Sequence, residues 1–175
     1  MASITLDVYH TQSHTARPLS FPVLATGFEN WLGDGYYFWQ DYQFSIWWGK
    51  THKCGTSNKS RQFIVYRATL IFDSEEFIDT VFNEEDYYQF CKNIEKFAKA
   101  YQKNLGRKPS LQEFNSFIEH HHVWDEIKVI RFQDLPESDY HVEVLGFYYK
   151  KRIQLRVNDP KIISTFAVHK TFACL

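Results

Sequence analysis

Between residues 87 and 105, six apolar or aromatic side chains, Tyr87, Phe90, Ile94, Phe97, Tyr101 and Leu105, recur at steps of 3, 4, 3, 4 and 4. That is the period of an α-helix with one buried face, and it stops before Gly106, a residue type that commonly follows a helix end. On both sides of this segment the period changes. Ile4, Leu6 and Val8 alternate with Thr5, Asp7 and Tyr9, the pattern of a half-buried strand that His10 ends. Tyr36-Tyr37-Phe38-Trp39 and residues 62–72 are rich in aromatic and β-branched side chains, and strands are expected again over residues 127–132, 141–149, 153–157 and 162–168. Strands, then helices, then strands is the order of an α+β fold, not of an alternating α/β sheet. The expectation is one α+β domain over residues 1–175, with a helical segment over about 73–123.

Local signals place the boundaries. Asp41 is positioned to cap a helix that puts Phe44, Trp47 and Trp48 on one face with Ser45 beside them. Asp73-x-x-Glu76 has the form of a capping arrangement opening a helix, and Pro109-Ser110 with Glu113 opens another through Leu111, Phe114, Phe117 and Ile118. Residues 11–33, with Pro18, Pro22 and Gly27, read as loop, where chemistry often sits. Residues 50–61 hold Lys50, Lys53, Lys59 and Arg61 among small polar residues and read as a surface loop. Residues 73–86 carry seven acidic side chains and no Lys or Arg, without metal-ligand spacing, and read as a solvated face.

Twenty Lys and Arg against 21 Asp and Glu give a net charge of −1, so no global field draws the chain to nucleic acid or to an anionic membrane. No apolar run has the length of a membrane span, and the N-terminal segment lacks a basic and apolar leader pattern, so a soluble cytoplasmic protein without membrane association is expected. Cys54, Cys91 and Cys174 are odd in number and widely scattered, which predicts free thiols. Aromatic residues reach 18% with a single Met, so some rings are expected to be binding surface.

Several motifs fail on inspection. Gly49-Lys50-Thr51 lacks the glycine that a phosphate loop needs at position 44, where Phe44 stands. His10 and His14 have helical zinc spacing, but His10 ends a strand and no glutamate lies between them. His120-His121-His122 sits at a helix C-terminus, where imidazoles favour the dipole, and no further ligand accompanies it. No metal is expected.

What remains is a histidine at a strand end, then Gly33-Asp34-Gly35-Tyr36-Tyr37-Phe38 about 25 residues on, then a helix bearing Ser45 and Trp48. Aromatic faces attract a flat cationic ring through their quadrupole while excluding water. Tyr37 and Trp48 are suited to that role. In this order Tyr9-His10-Thr11, the Gly-x-Gly segment and residues 45–48 resemble the His-Tyr branch of the ADP-ribosyltransferase superfamily, shared by diphtheria-like toxins, poly(ADP-ribose) polymerases and many small bacterial transferases. The resemblance covers about the first 50 residues and reappears in the last strands, while the helical middle has no counterpart.

The resemblance implies a split, mostly antiparallel β-core with a cleft for NAD. It assigns the adenosine ribose to His10 and the nicotinamide amide to the Thr11 backbone and the Ser45 hydroxyl. The two ring faces fall to Tyr37 and Trp48, with Gly35 and Tyr36 in the same binding segment. The family has glycine where Thr11 stands. Its catalytic glutamate begins a late strand, and the best match here, Ile153-Gln154-Leu155-Arg156-Val157-Asn158-Asp159, puts Gln154 in that place. An amide can orient a ribose hydroxyl but carries no charge to stabilise an oxocarbenium ion. Glu143 is the rival candidate, its plainer reading being a solvent-facing strand residue.

The activity implied is transfer of single ADP-ribose units from NAD, as substrate, to a protein or nucleic-acid acceptor. The basic loop around Lys50, Lys53, Lys59 and Arg61 would engage that acceptor. An intracellular toxin or anti-phage effector would fit, with an antitoxin or inhibitor protein as partner. Two other readings stand beside it: a catalytically silent NAD or ADP-ribose binding module, motivated by Gln154 and Thr11, and a protein-interaction domain whose aromatic cleft holds a peptide.

Overall fold

The computed structural model describes residues 2–15, 17–27, 30–54, 61–134 and 151–174. Among them, one sheet is built from β1 (Ser3–Ser13), β2 (Tyr36–Trp39), β3 (Gln62–Asp73), β4 (Phe77–Asp79), β5 (Val129–Asp134), β6 (Arg152–Val157) and β7 (Ile163–Ala173). The strand order is β4-β5-β6-β2-β1-β3-β7, antiparallel throughout except for the parallel β4–β5 pair. Three helices, α1 (Tyr42–Trp48), α2 (Glu84–Leu105) and α3 (Leu111–His120), complete a mixed α+β fold. The strand expected over 141–149, with Glu143, lies outside the described residues.

Alternation along the strands divides the core between the two sheet faces. Val129, Leu155 and Val157 pack with Val8, Phe38, Ala68 and Leu70 on one face. Ile130 and Phe132 point the other way, against Phe97 of α2, Phe114 of α3 and Trp124. The apolar stripe of α2 is real, although its two ends, Tyr87 and Leu105, are exposed. Asn83 caps that helix with its side chain, and Ser110 and Glu113 form a reciprocal capping box on α3. Asp41 caps α1 through the Gln43 amide.

Four local expectations are corrected. β1 does not end at His10; it continues to Ser13 because β3 pairs with it along its full length, from Ser3↔Asp73 to Ser13↔Phe63. Asp73 and Glu76 do form a capping box, but around a single 3₁₀ turn, Ser74–Glu76, after which the chain becomes β4, so the helical segment begins at Glu84. The acidic run is not simply a solvated face: Asp79 is buried opposite Arg131 in the β4–β5 ladder and pairs with it at 2.7 Å, and Glu76 pairs with Lys128 at 2.5 Å. The cysteines are not all free. β3 and β7 pair Gln62 with Ala173 at their ends, which brings Cys174 to Cys54 in a disulfide across 120 residues and leaves Cys91 free.

One irregularity of the sheet positions the site. β1 and β2 are neighbours, yet they share a single paired position, Tyr9↔Trp39, and beyond it they diverge. The sheet is therefore open between His10 on one side and Tyr37 on the other.

Candidate functional site

A cavity of about 400 Å³ occupies that opening, a volume in the range of small-molecule sites. β1 contributes His10, Thr11 and Gln12, and β2 contributes Tyr37, Phe38 and Trp39. The next two strands extend the wall by register. Gln154 of β6 lies opposite both Trp39 and Phe132, and Arg152 lies opposite Asp134, so all these side chains share the face that lines the cavity. Trp48, His52 and Lys53 close one side, and Val23, Ala25, Asn30 and Trp31 of the long loop close another.

His10 is buried. Its Nδ1 donates to the Tyr37 carbonyl at 3.0 Å, and its Nε2 faces the Val23 amide at 3.5 Å. Burial pushes the imidazole down to about 4, opposed by the bond to Tyr37 and reinforced by the nearby Lys53 ammonium, so the ring is neutral at physiological pH. Tyr37 is held at both ends: its hydroxyl donates to the Gly33 carbonyl at 2.7 Å and accepts from the Leu32 amide at 3.3 Å, and its ring meets Phe132 edge-on at 6.2 Å. Burial pushes its phenol up to about 12, so it stays protonated.

The Gly-Asp-Gly turn before Tyr37 is built against Arg156. That guanidinium donates twice to the Asp34 carbonyl, at 3.0 and 2.7 Å, and a Cβ on Gly35 would stand 2.8 Å from Arg156 Cγ. Close approach therefore explains the glycine. Gly35 also exchanges both backbone hydrogen bonds with Ala25, which fixes the loop beside the cavity.

The expected site residues divide on inspection. His10, Thr11, Tyr37, Trp48 and Gln154 line the cavity together. Gly35 and Tyr36 do not: Gly35 packs on Arg156, and the Tyr36 ring meets Phe21 at 5.6 Å. Ser45 does not either. It is fully buried, and its hydroxyl donates to the Tyr42 carbonyl of its own helix at 2.6 Å. The Thr11 hydroxyl donates to the Ser45 backbone carbonyl at 2.8 Å, which ties α1 to β1. One face of Trp48 is covered by His52, whose ring centroid is 3.8 Å away. Gln154 behaves as strand alternation requires, facing the cavity while Ile153 and Leu155 are buried; its Nε2 donates to Asp134 at 3.3 Å.

The basic segment is divided as well. Lys50 is exposed, but residues 49–53 wind into a π-helical turn that carries Lys53 into the cavity wall. Lys59 lies outside the described residues.

Sequence reasoning missed Asp134, Arg152 and Trp31. Asp134 and Arg152 form an ion pair of 3.0 Å at the cavity floor, with the Arg152 guanidinium 4.6 Å from the Trp47 ring. The signal for them is register, which one strand alone does not reveal. Trp31 is 44% exposed in a loop, and a large aromatic in that setting was a usable signal.

Comparison with protein-family models, with curated proteins and with solved structures returned no match.

Proposed function

We propose that the protein is an NAD-dependent mono-ADP-ribosyltransferase. The observation that carries this reading is the convergence of His10, Tyr37, Trp48 and Gln154, from four separate segments, on one cavity at the opening of the sheet. Tyr37 and the remaining face of Trp48 suit a flat nicotinamide ring. Gln154 donates through Nε2 to Asp134, which leaves Oε1 to accept from a ribose hydroxyl.

In the proposed reaction the bond between nicotinamide and ribose breaks with its electron pair leaving on nicotinamide. The ribose passes through an oxocarbenium-like state. A nucleophile of a protein or nucleic-acid acceptor then bonds to the ribose carbon and gives up its proton. Positioning and exclusion of water do most of the work, because Gln154 brings no charge. An amide at this position favours single transfer over chain elongation. A toxin or anti-phage effector with an inhibitor partner is the setting this activity suggests, on the strength of the resemblance alone. No described helix is long and apolar enough to cross a membrane.

A second reading, a catalytically silent NAD or ADP-ribose binding module, is favoured by one observation. The carboxylate that lines the cavity among the described residues, Asp134, is already paired with Arg152. Labelled NAD and a cell extract separate the two. Wild type should release nicotinamide and label a macromolecule, and Gln154→Ala should reduce transfer far more than NAD affinity, because the lost contact is strongest in the transition state. NAD binding without nicotinamide release supports the silent module, and normal transfer by Gln154→Ala defeats the assignment of Gln154.

A further inference from the structure

We propose that the Lys53 end of the cavity is an anion subsite that takes the phosphates of a nucleotide. The inference rests on the reading above for the identity of the nucleotide, and on Lys53 itself for the anion.

Lys53 is the last residue of the π-helical turn that follows α1, and it lines the cavity beside Trp48, His52 and His10. Its ammonium makes no hydrogen bond or ion pair with any described residue, although it is partly withdrawn from solvent. That withdrawal holds its pKa below the usual lysine value. A cation taken from water without a partner is unfavourable, and an arriving anion reverses the penalty.

The rest of the cavity leaves that charge unbalanced. His10 is neutral. Asp134 is engaged by Arg152 and Gln154, both on the opposing strand β6. The described Asp, Glu, Lys and Arg side chains lining the cavity are thus one ion pair plus Lys53.

The lysine is also held in place from both ends of its turn. A Cβ on Gly49 would stand 2.2 Å from Phe63 Cε2, so only glycine lets the turn pack against β3. The next residue after Lys53 is Cys54, whose amide donates to the Gly49 carbonyl at 3.1 Å and whose sulfur is bonded to Cys174. A point cation on a fixed backbone, with the aromatic rings of Trp48, Tyr37 and Trp31 in the same cavity, matches a ligand that joins a flat ring to phosphate.

The test uses inorganic pyrophosphate, NAD and free nicotinamide as titrants by calorimetry, with wild type, Lys53→Ala, Lys53→Gln and Lys53→Arg. Lys161→Ala, exposed on the turn before β7, serves as the charge control. Wild type should bind pyrophosphate, and Lys53→Ala and Lys53→Gln should each weaken pyrophosphate and NAD by about 10- to 100-fold, the range for a charge-assisted hydrogen bond. Nicotinamide affinity should stay unchanged, Lys53→Arg should recover part of the loss, and Lys161→Ala should match wild type. Unfolding midpoints of the variants identify any that are not folded, and the alanine and glutamine variants back each other in that event. Absence of pyrophosphate binding in wild type, or equal affinity in a folded Lys53→Ala or Lys53→Gln protein, overturns the subsite. Lys53-dependent pyrophosphate binding together with NAD that binds no tighter than pyrophosphate upholds the subsite and overturns the NAD reading instead.

Discussion

Replacing Tyr37 by phenylalanine and by alanine separates two roles that the structure gives one side chain. The hydroxyl bridges the Gly33 carbonyl and the Leu32 amide, both on buried residues, while the ring faces the cavity. Tyr37→Phe removes both hydrogen bonds and leaves a buried donor and acceptor without partners, which costs about 1–3 kcal/mol. For a chain of this size each kcal/mol lowers Tm by about 2–4 °C, so a decrease of about 2–12 °C is expected. The ring survives, and NAD affinity should stay within about twofold. Tyr37→Ala removes the ring too, and an aromatic contact of about 0.5–1.5 kcal/mol corresponds to about 2- to 12-fold weaker binding. Thermal unfolding and calorimetric titration of the two variants give both numbers. An unchanged Tm in Tyr37→Phe would refute the anchoring role, and equal NAD affinity in a folded Tyr37→Ala protein would refute the stacking role.

Two further outcomes concern His10 and the Cys54–Cys174 disulfide. The folded pKa of His10, about 4, lies below the ordinary imidazole value of 6.5, so in the interval between them the unfolded chain binds a proton that the folded chain does not. The contribution of His10 is complete above pH 6.5 and is lost as pH falls toward 4, by about 3 kcal/mol. The difference in unfolding free energy between wild type and His10→Asn should track that window, and a pH-independent difference would show that His10 is not buried as described. The Cys54–Cys174 disulfide closes a long loop, and Cys174→Ser should cost about 2–5 kcal/mol. Thiol titration of the denatured, unreduced protein should find one thiol, Cys91, whereas three would contradict the bond and agree with a reducing compartment.

What the sequence made legible was whatever depends on neighbours along the chain. The α2 stripe, the Asp41 cap, the Ser110–Glu113 box and the strand character of β2, β3 and β6 all follow from spacing within a few residues. Where long-range pairing decided the outcome, local rules fell short. β1 runs past His10 because β3 supplies partners as far as Phe63, although no alternation marks residues 11–13. Asp73 and Glu76 make the box that their spacing predicts, yet the chain turns into β4 because Phe77, Ile78 and Asp79 find Val129, Ile130 and Arg131 beside them. The disulfide depends on the β3–β7 register and so has no signature in cysteine spacing.

The same division explains the site, and it limits how far a motif can be carried across. His10, Tyr37 and Trp48 were legible because each sits in a short, ordered pattern, and all three reach the cavity. Ser45 belonged to the same pattern and does not reach it, because it is fully buried where α1 is bonded to β1 through Thr11, with its hydroxyl turned back to the Tyr42 carbonyl of its own helix. The charge at the cavity floor was illegible for a converse reason. Asp134 and Arg152 meet as a directly opposed pair on β5 and β6, and Gln154 reaches the same carboxylate from two residues further along β6. If a negative charge assists cleavage at this site, the described residues supply it from β5 and not from the strand that carries Gln154. Substituting Gln154 alone therefore perturbs a network of three side chains, and its effect on catalysis is to be read against that of Asp134→Asn in the same assay.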